Sequence, residues 1–139
     1  MSESFKRRLG EFTTLIEERA KLAIRGTARE LYNEMSSGGQ FSPGTPIDTG
    51  FHRWHWDASV GAIPAGGNAG SEGAAAERVE GAIADFDVGD TLFITNNGPA
   101  IRRLEFDAWS TQAPDGFVRP AIEAGPQIVE KVVASVVAG

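Results

Sequence analysis

FKRRLGEFTTLIEERAKLAIRGTARELYNEM, residues 5–35, decides the fold. Phe5, Leu9, Phe12, Ile16, Ala20, Ala23, Thr27, Leu31 and Met35 recur at steps of three and four, the apolar stripe of an amphipathic helix. Ser4 is placed to cap its start, and Ser36-Ser37-Gly38-Gly39 ends it. A helix of about 30 residues is roughly 45 Å long at 1.5 Å per residue, more than the diameter of so small a domain. That surplus predicts that part of the helix rests on something other than its own core. Leu15, Leu22, Ile24 and Tyr32 widen the stripe and fit a second packing surface, which makes Leu15 and Leu22 candidate subunit contacts. The alternative is a helix that spans its own domain with a frayed first turn.

Beyond the helix, SSGGQFSPGTPIDTG at 36–50 is a loop dense in Gly, Pro, Ser and Thr. Residues 51–60 alternate with period two. His52, Trp54, Trp56, Ala58 and Val60 share a largely apolar face, and Phe51, Arg53, His55, Asp57 and Ser59 the other. Residues 61–73 are rich in Gly and Ala and read as a long loop. A short helix over 74–86, a second strand over 91–95 and another short helix over 100–106 follow. The last segment, 117–137, is helical in pattern; Pro120 suits its first turn, whereas Pro126 should kink or split it. The expected fold is a single α+β domain over 1–139, with a long N-terminal helix, a small antiparallel sheet and a C-terminal helix.

The chain has 139 residues, of which 41% are hydrophobic and 23% charged, and it contains no cysteine. One globular domain fits that length, and thiolate metal sites, disulfides and Cys nucleophiles are excluded. No apolar run approaches a bilayer span and MSESFKRR is not a signal peptide, so synthesis in the cytoplasm is expected. The net charge is −6. Between Trp54 and Ile101 the basic residue is Arg78, set against Asp57, Glu72, Glu77, Glu80, Asp85, Asp87 and Asp90. Such a segment repels a phosphate backbone rather than binding it.

Candidate chemistry is sparse. His52 and His55 would face opposite sides of a strand and cannot share a metal there. No nucleophile elbow, P-loop or GxGxxG is present, and no carboxylate pair stands out as a general acid and base. A hydrolase therefore lacks a visible site. Trp54 and Trp56 are the residues on which a single-strand nucleic-acid-binding module would stack bases, but no basic groove surrounds them. No metal, catalytic or cofactor-binding residue is assigned. Arg102 and Arg103 beside Glu105 and Asp107 either form local ion pairs or bind carboxylates across a subunit boundary. Glu105, Trp109 and Gln112 combine an anchor aromatic with polar groups, the make-up of a subunit interface.

Two blocks together resemble a known family. TPIDTG at 45–50, continuing into Arg53, Trp56, Ser59 and Gly61, is similar to the TP-V/I-DTG-x-x-R-x-x-W-x-x-S-x-G pattern of tailed-phage neck and tail-component proteins of the minor tail protein Z-like, tail-completion class. ITNNGPAIRRLEFDAWSTQAPDGFVR at 94–119 resembles that family's second block, although Ala100 stands where an aromatic is usual. The resemblance implies a virion protein of the head–tail junction, made in the host cytoplasm, with no enzymatic mechanism and no cofactor. It implies a homo-oligomeric ring (hexamer first, dodecamer second) between the head connector and portal side and the tail tube or terminator. DNA passes through that ring without specific binding, and no membrane is involved. A tail terminator capping the tube is the alternative. In such a ring an acidic wall lets DNA slide, so Glu72, Glu77 and Glu80 become candidate lumen-facing residues. Asp48-Thr49-Gly50 would make an Asx-type turn leading into the first strand.

Overall fold

Ser2, not Ser4, starts the long helix: its hydroxyl accepts the Phe5 N–H at 3.1 Å. The computed structural model describes residues 2–47, 51–66 and 70–138; the Asp48-Thr49-Gly50 turn and the middle of the 61–73 loop lie outside them. Helix α1 runs Glu3–Ser36, about 51 Å at 1.5 Å per residue. It stops where the N–H groups of Ser37 and Gly38 both donate to the Asn33 carbonyl. Gly38 there has φ +85°, and a Cβ on it would meet the Pro43 carbonyl oxygen at 2.6 Å, so the turn needs glycine.

The expected strand over 51–60 is only half right. Arg53–His55 form a 3-10 turn, and strand β1 is Trp56–Val60. The chain curls because the Trp54 and His55 N–H groups donate back to the carbonyls of Phe51 and His52. Arg78 clamps the bend by donating to the carbonyls of Trp54 (2.7 Å) and Trp56 (2.9 Å). Trp54 and Trp56 therefore do not share a buried face: Trp56 is 2% exposed, whereas Trp54 is half-buried.

Helix α2, Glu72–Asp85, begins two residues before expectation because the Ser71 hydroxyl caps the Ala74 N–H. Strand β2, Leu92–Asn96, pairs antiparallel with β1, placing Trp56 opposite Asn96 and Val60 opposite Leu92. Helix α3 is Ile101–Phe106. The C-terminal helix is split, as Pro126 predicts, into α4 (Val118–Glu123) and α5 (Gly125–Ala138). Pro126 falls in the first turn of α5, where its missing N–H costs nothing. The fold is thus α+β, with a long N-terminal helix, a two-stranded antiparallel sheet and a C-terminal helix.

The main core gathers Tyr32, Trp56, Val79, Ile83, Leu104 and Phe117. Trp56 sits edge-on to both Tyr32 (6.0 Å) and Phe117 (6.5 Å). A second cluster, Ala124, Ile128 and Val132, packs α5 against α1. Gly26 permits that crossing, since a Cβ there would lie 2.8 Å from Val132 Cγ1.

Candidate subunit interface

One helix carries two environments. In its C-terminal part Ala28, Tyr32 and Met35 are buried. In its first five turns Phe5, Leu9, Phe12 and Ile16 lie between 49% and 59% exposed, with Leu15 open beside them and Leu22 open just beyond. The residues from Ser2 to Arg19 are all exposed. We call this stretch the arm. It contains Gly10, which costs a helix about 1 kcal/mol relative to Ala, and Thr13, whose hydroxyl turns back to the Leu9 carbonyl at 3.0 Å. An isolated helix of this length is marginal in water; the arm is helical as a continuation of an anchored segment. Exposing four large apolar side chains forgoes about 1.5–3 kcal/mol each.

Alongside the buried part of α1 runs an apolar groove of about 670 Å3. Its walls are Ala23 to Met35 on α1, Leu92 and Ile94 on β2, Val118 and Ile122 on α4, and Val129 on α5. Phe86, Asp90 and Thr91 close one end. Ile24, Ile122 and Val129 stand exposed on its rim.

The remaining interface candidates divide. Glu105 is corrected: it is 5% exposed and engaged inside its own chain. Its carboxylate accepts the N–H groups of Phe117 (2.7 Å), Val118 (2.9 Å) and Arg119 (2.8 Å) and the Arg119 guanidinium at 3.1 Å, so it caps α4 from a distance. Burial pushes its pKa up, but the three backbone donors and Arg119 outweigh that and hold it below the ordinary carboxylate value. Ion pairing of Glu105 with Arg102 or Arg103 is therefore replaced by pairing with Arg119. Gln112 is also turned inward in function: its amide accepts the Ile47 N–H at 2.8 Å and donates to the Ile47 carbonyl at 2.6 Å. Trp109 is 58% exposed with the Arg103 guanidinium 5.4 Å from its ring centroid, and Arg102 is open to solvent. Ala108, at φ +50°, makes the turn that presents the ring.

The lumen candidates are exposed on α2, but two of them have cations at hand. Glu80 is gripped by both Arg29 Nε (3.0 Å) and Nη2 (2.6 Å), a hydrogen-bonded pair that lowers its pKa. Glu72 lies 3.7 Å from Arg53. Both arginines lie outside the acidic segment, so its charge is partly met by its neighbours; Glu77 is exposed.

Sequence reasoning missed a buried polar hub. The Glu34 carboxylate accepts the N–H groups of Gln40, Phe41 and Ser42 at 2.9–3.0 Å. The Thr45 hydroxyl donates to the Met35 carbonyl at 2.7 Å and accepts the Trp56 indole N–H at 2.9 Å. Ser42 reaches the Phe117 carbonyl at 2.6 Å. The Glu34 carboxylate, like that of Glu105, is filled by backbone donors and acts as a structural acceptor. An acidic residue in the last turn of a helix opposes the helix dipole, and Glu34 in that position was the available signal. With its indole bonded to Thr45 inside the core, Trp56 offers no face to a base.

His52 and His55 both flank the Phe51 ring (5.5 and 4.3 Å between centroids), because the 3-10 turn replaces the strand there. Burial, and then the charge of His55, lowers the pKa of His52. Among the described residues no group of three metal-ligating side chains comes together, and no helix is long and apolar enough to cross a membrane. No family model, no curated protein and no solved structure matches the chain.

Proposed function

We propose that this chain is a structural subunit of the head–tail junction of a tailed phage or prophage, assembling with copies of itself into a ring that joins the head connector to the tail. One observation carries the reading: the exposed stripe Phe5, Leu9, Phe12 and Ile16 on an arm that its own domain leaves uncovered. An apolar surface of this kind marks a protein contact. The two sequence blocks at 45–61 and 94–119 supply the particular assembly, and Glu105, Gln112, Thr45 and Trp56 within them all serve the rigidity of the domain. A rigid body with an outstretched arm suits a scaffold role, and it transfers no atoms. Glu72, Glu77 and Glu80, all exposed on α2, are the groups this reading sets toward the DNA channel.

The test is deletion of the coding sequence from the genome that carries it, followed by electron microscopy of the particles released. DNA-filled heads and tails that fail to join are expected. Complete, infectious particles without the protein would contradict the assignment.

A further inference from the structure

We propose that the apolar groove between α1, β2, α4 and α5 receives the N-terminal arm of a second copy, lying parallel to the α1 that forms the groove wall. The inference rests on the assembly reading only in treating the arm as an interface, and it does not depend on the identity of the particle.

Length is the first argument. The stripe from Phe5 to Ile16 covers eleven helical steps, about 17 Å, and the α1 wall from Ala23 to Met35 covers twelve, about 18 Å. Surface chemistry is the second: the groove offers Ile24, Leu31, Leu92, Ile94 and Val129 to a stripe of Phe, Leu and Ile. Charge fixes the direction. Lys6, Arg7 and Arg8 sit at the tip of the arm; Lys6 pairs with Glu3 (3.4 Å), Arg7 with Glu11 (3.9 Å) and Arg8 donates to the Ser4 hydroxyl (3.4 Å), exposed contacts worth a few tenths of a kcal/mol that are readily exchanged. At the Ala23 end of the groove Asp90 lines the wall with Phe86 and Thr91, and Asp87 lies beside Lys21 of α1. Lys21 meets Asp87 at 3.2 Å and Arg25 is taken up by the Ala84 and Phe86 carbonyls, while the Asp90 carboxylate, which accepts the Asp87 N–H at 2.8 Å, pairs with no cation among the described residues and stays exposed. The basic tip belongs at that end, which places Ile16 toward α4.

Pairing of two arms with each other is disfavoured, because four apolar positions make only about two heptads, short of the three or four that sustain a coiled coil. Arm-in-groove contact is heterologous, so each copy both gives and receives, and the chain of contacts closes into a ring or runs on as a filament.

The chain has no cysteine, which makes cross-linking clean. Single variants are mixed in equal amounts and treated with a short bis-maleimide, so that every link between unlike sites joins two copies. Leu9→Cys should link to Thr91→Cys, and Ile16→Cys to Ile122→Cys. Ile122→Asp on the exposed rim should weaken self-association at least tenfold while leaving the melting curve unchanged. Links in the crossed combination, Leu9→Cys to Ile122→Cys, overturn the parallel orientation. Leu9→Cys linking only to itself shows arms pairing with arms and overturns the groove. Oligomers that give no link at either pair overturn the groove but leave the assembly reading standing. A chain that stays monomeric in solution and in assembled particles overturns both.

Discussion

Tyr32 and Phe12 are both aromatic residues on α1, yet they live in different worlds. Tyr32 is 7% exposed and packs edge-on against Trp56, whereas Phe12 is 59% exposed. The helical stripe is continuous through both. What differs is what lies across from it: α2, α4 and α5 pack against the helix, and Ser2 to Arg19 are exposed. A hydrophobic stripe therefore reports that a surface is to be buried, but not whether by the same molecule. On the proposed reading the first half is an interface in waiting.

The largest effects belong to the covered half. Tyr32→Ala and Trp56→Ala should each lower stability by about 3–5 kcal/mol, the usual cost of emptying an aromatic site in a core, as read by denaturant melts. Trp54→Ala should cost less than half as much, because the 3-10 turn lifts that ring out of the core. An equal loss for the two tryptophans would break the distinction between them.

Glu105→Ala comes next. Removing the carboxylate leaves three backbone N–H groups at the start of α4 without their acceptor, and about 3 kcal/mol should be lost. The same group sets an acid limit. Its folded pKa is depressed, so its contribution is fully present above the unfolded value of about 4.3 and disappears as pH falls through the lower folded value. Melts from pH 7 down to pH 2 should show the wild type losing stability over that window and Glu105→Ala losing less. Parallel curves would mean the carboxylate is not held by those donors.

The smallest effects on stability belong to the arm. Phe12→Ser and Leu9→Ser should move the melting midpoint by no more than surface substitutions do, within about 0.5 kcal/mol, while cutting self-association in sedimentation at least tenfold. A large loss of stability would place the stripe in the protein's own core. Arg29→Ala, which frees Glu80 at the surface, should also stay within about 1 kcal/mol.

How far the sequence could be read follows the same divide. The stripe of α1, the split at Pro126 and an antiparallel sheet of 51–60 with 91–95, observed as 56–60 paired with 92–96, depend on periodicity and on proline's missing N–H, and these were legible. The bend at Arg53–His55 was not, because alternation continues through it and only the Arg78 contacts, more than twenty residues away in sequence, reveal it. Glu105 and Gln112 looked like interface residues because their types suit an interface. Their partners, the N–H groups at 117–119 and the backbone of Ile47, are set by tertiary folding that spacing does not encode. Leu15 and Leu22, read from surplus helix length and a widened stripe, are both exposed, Leu15 on the arm and Leu22 just beyond it.

The most direct measurement is amide hydrogen exchange along α1 as a function of protein concentration. In dilute protein the amides after Phe5 through Arg19 should exchange quickly and those from Ala28 to Met35 slowly. As copies associate, the arm should gain protection by more than tenfold while the second half stays as it was. Strong protection of the arm in the dilute monomer, or an arm still unprotected in the assembled state, would contradict the account.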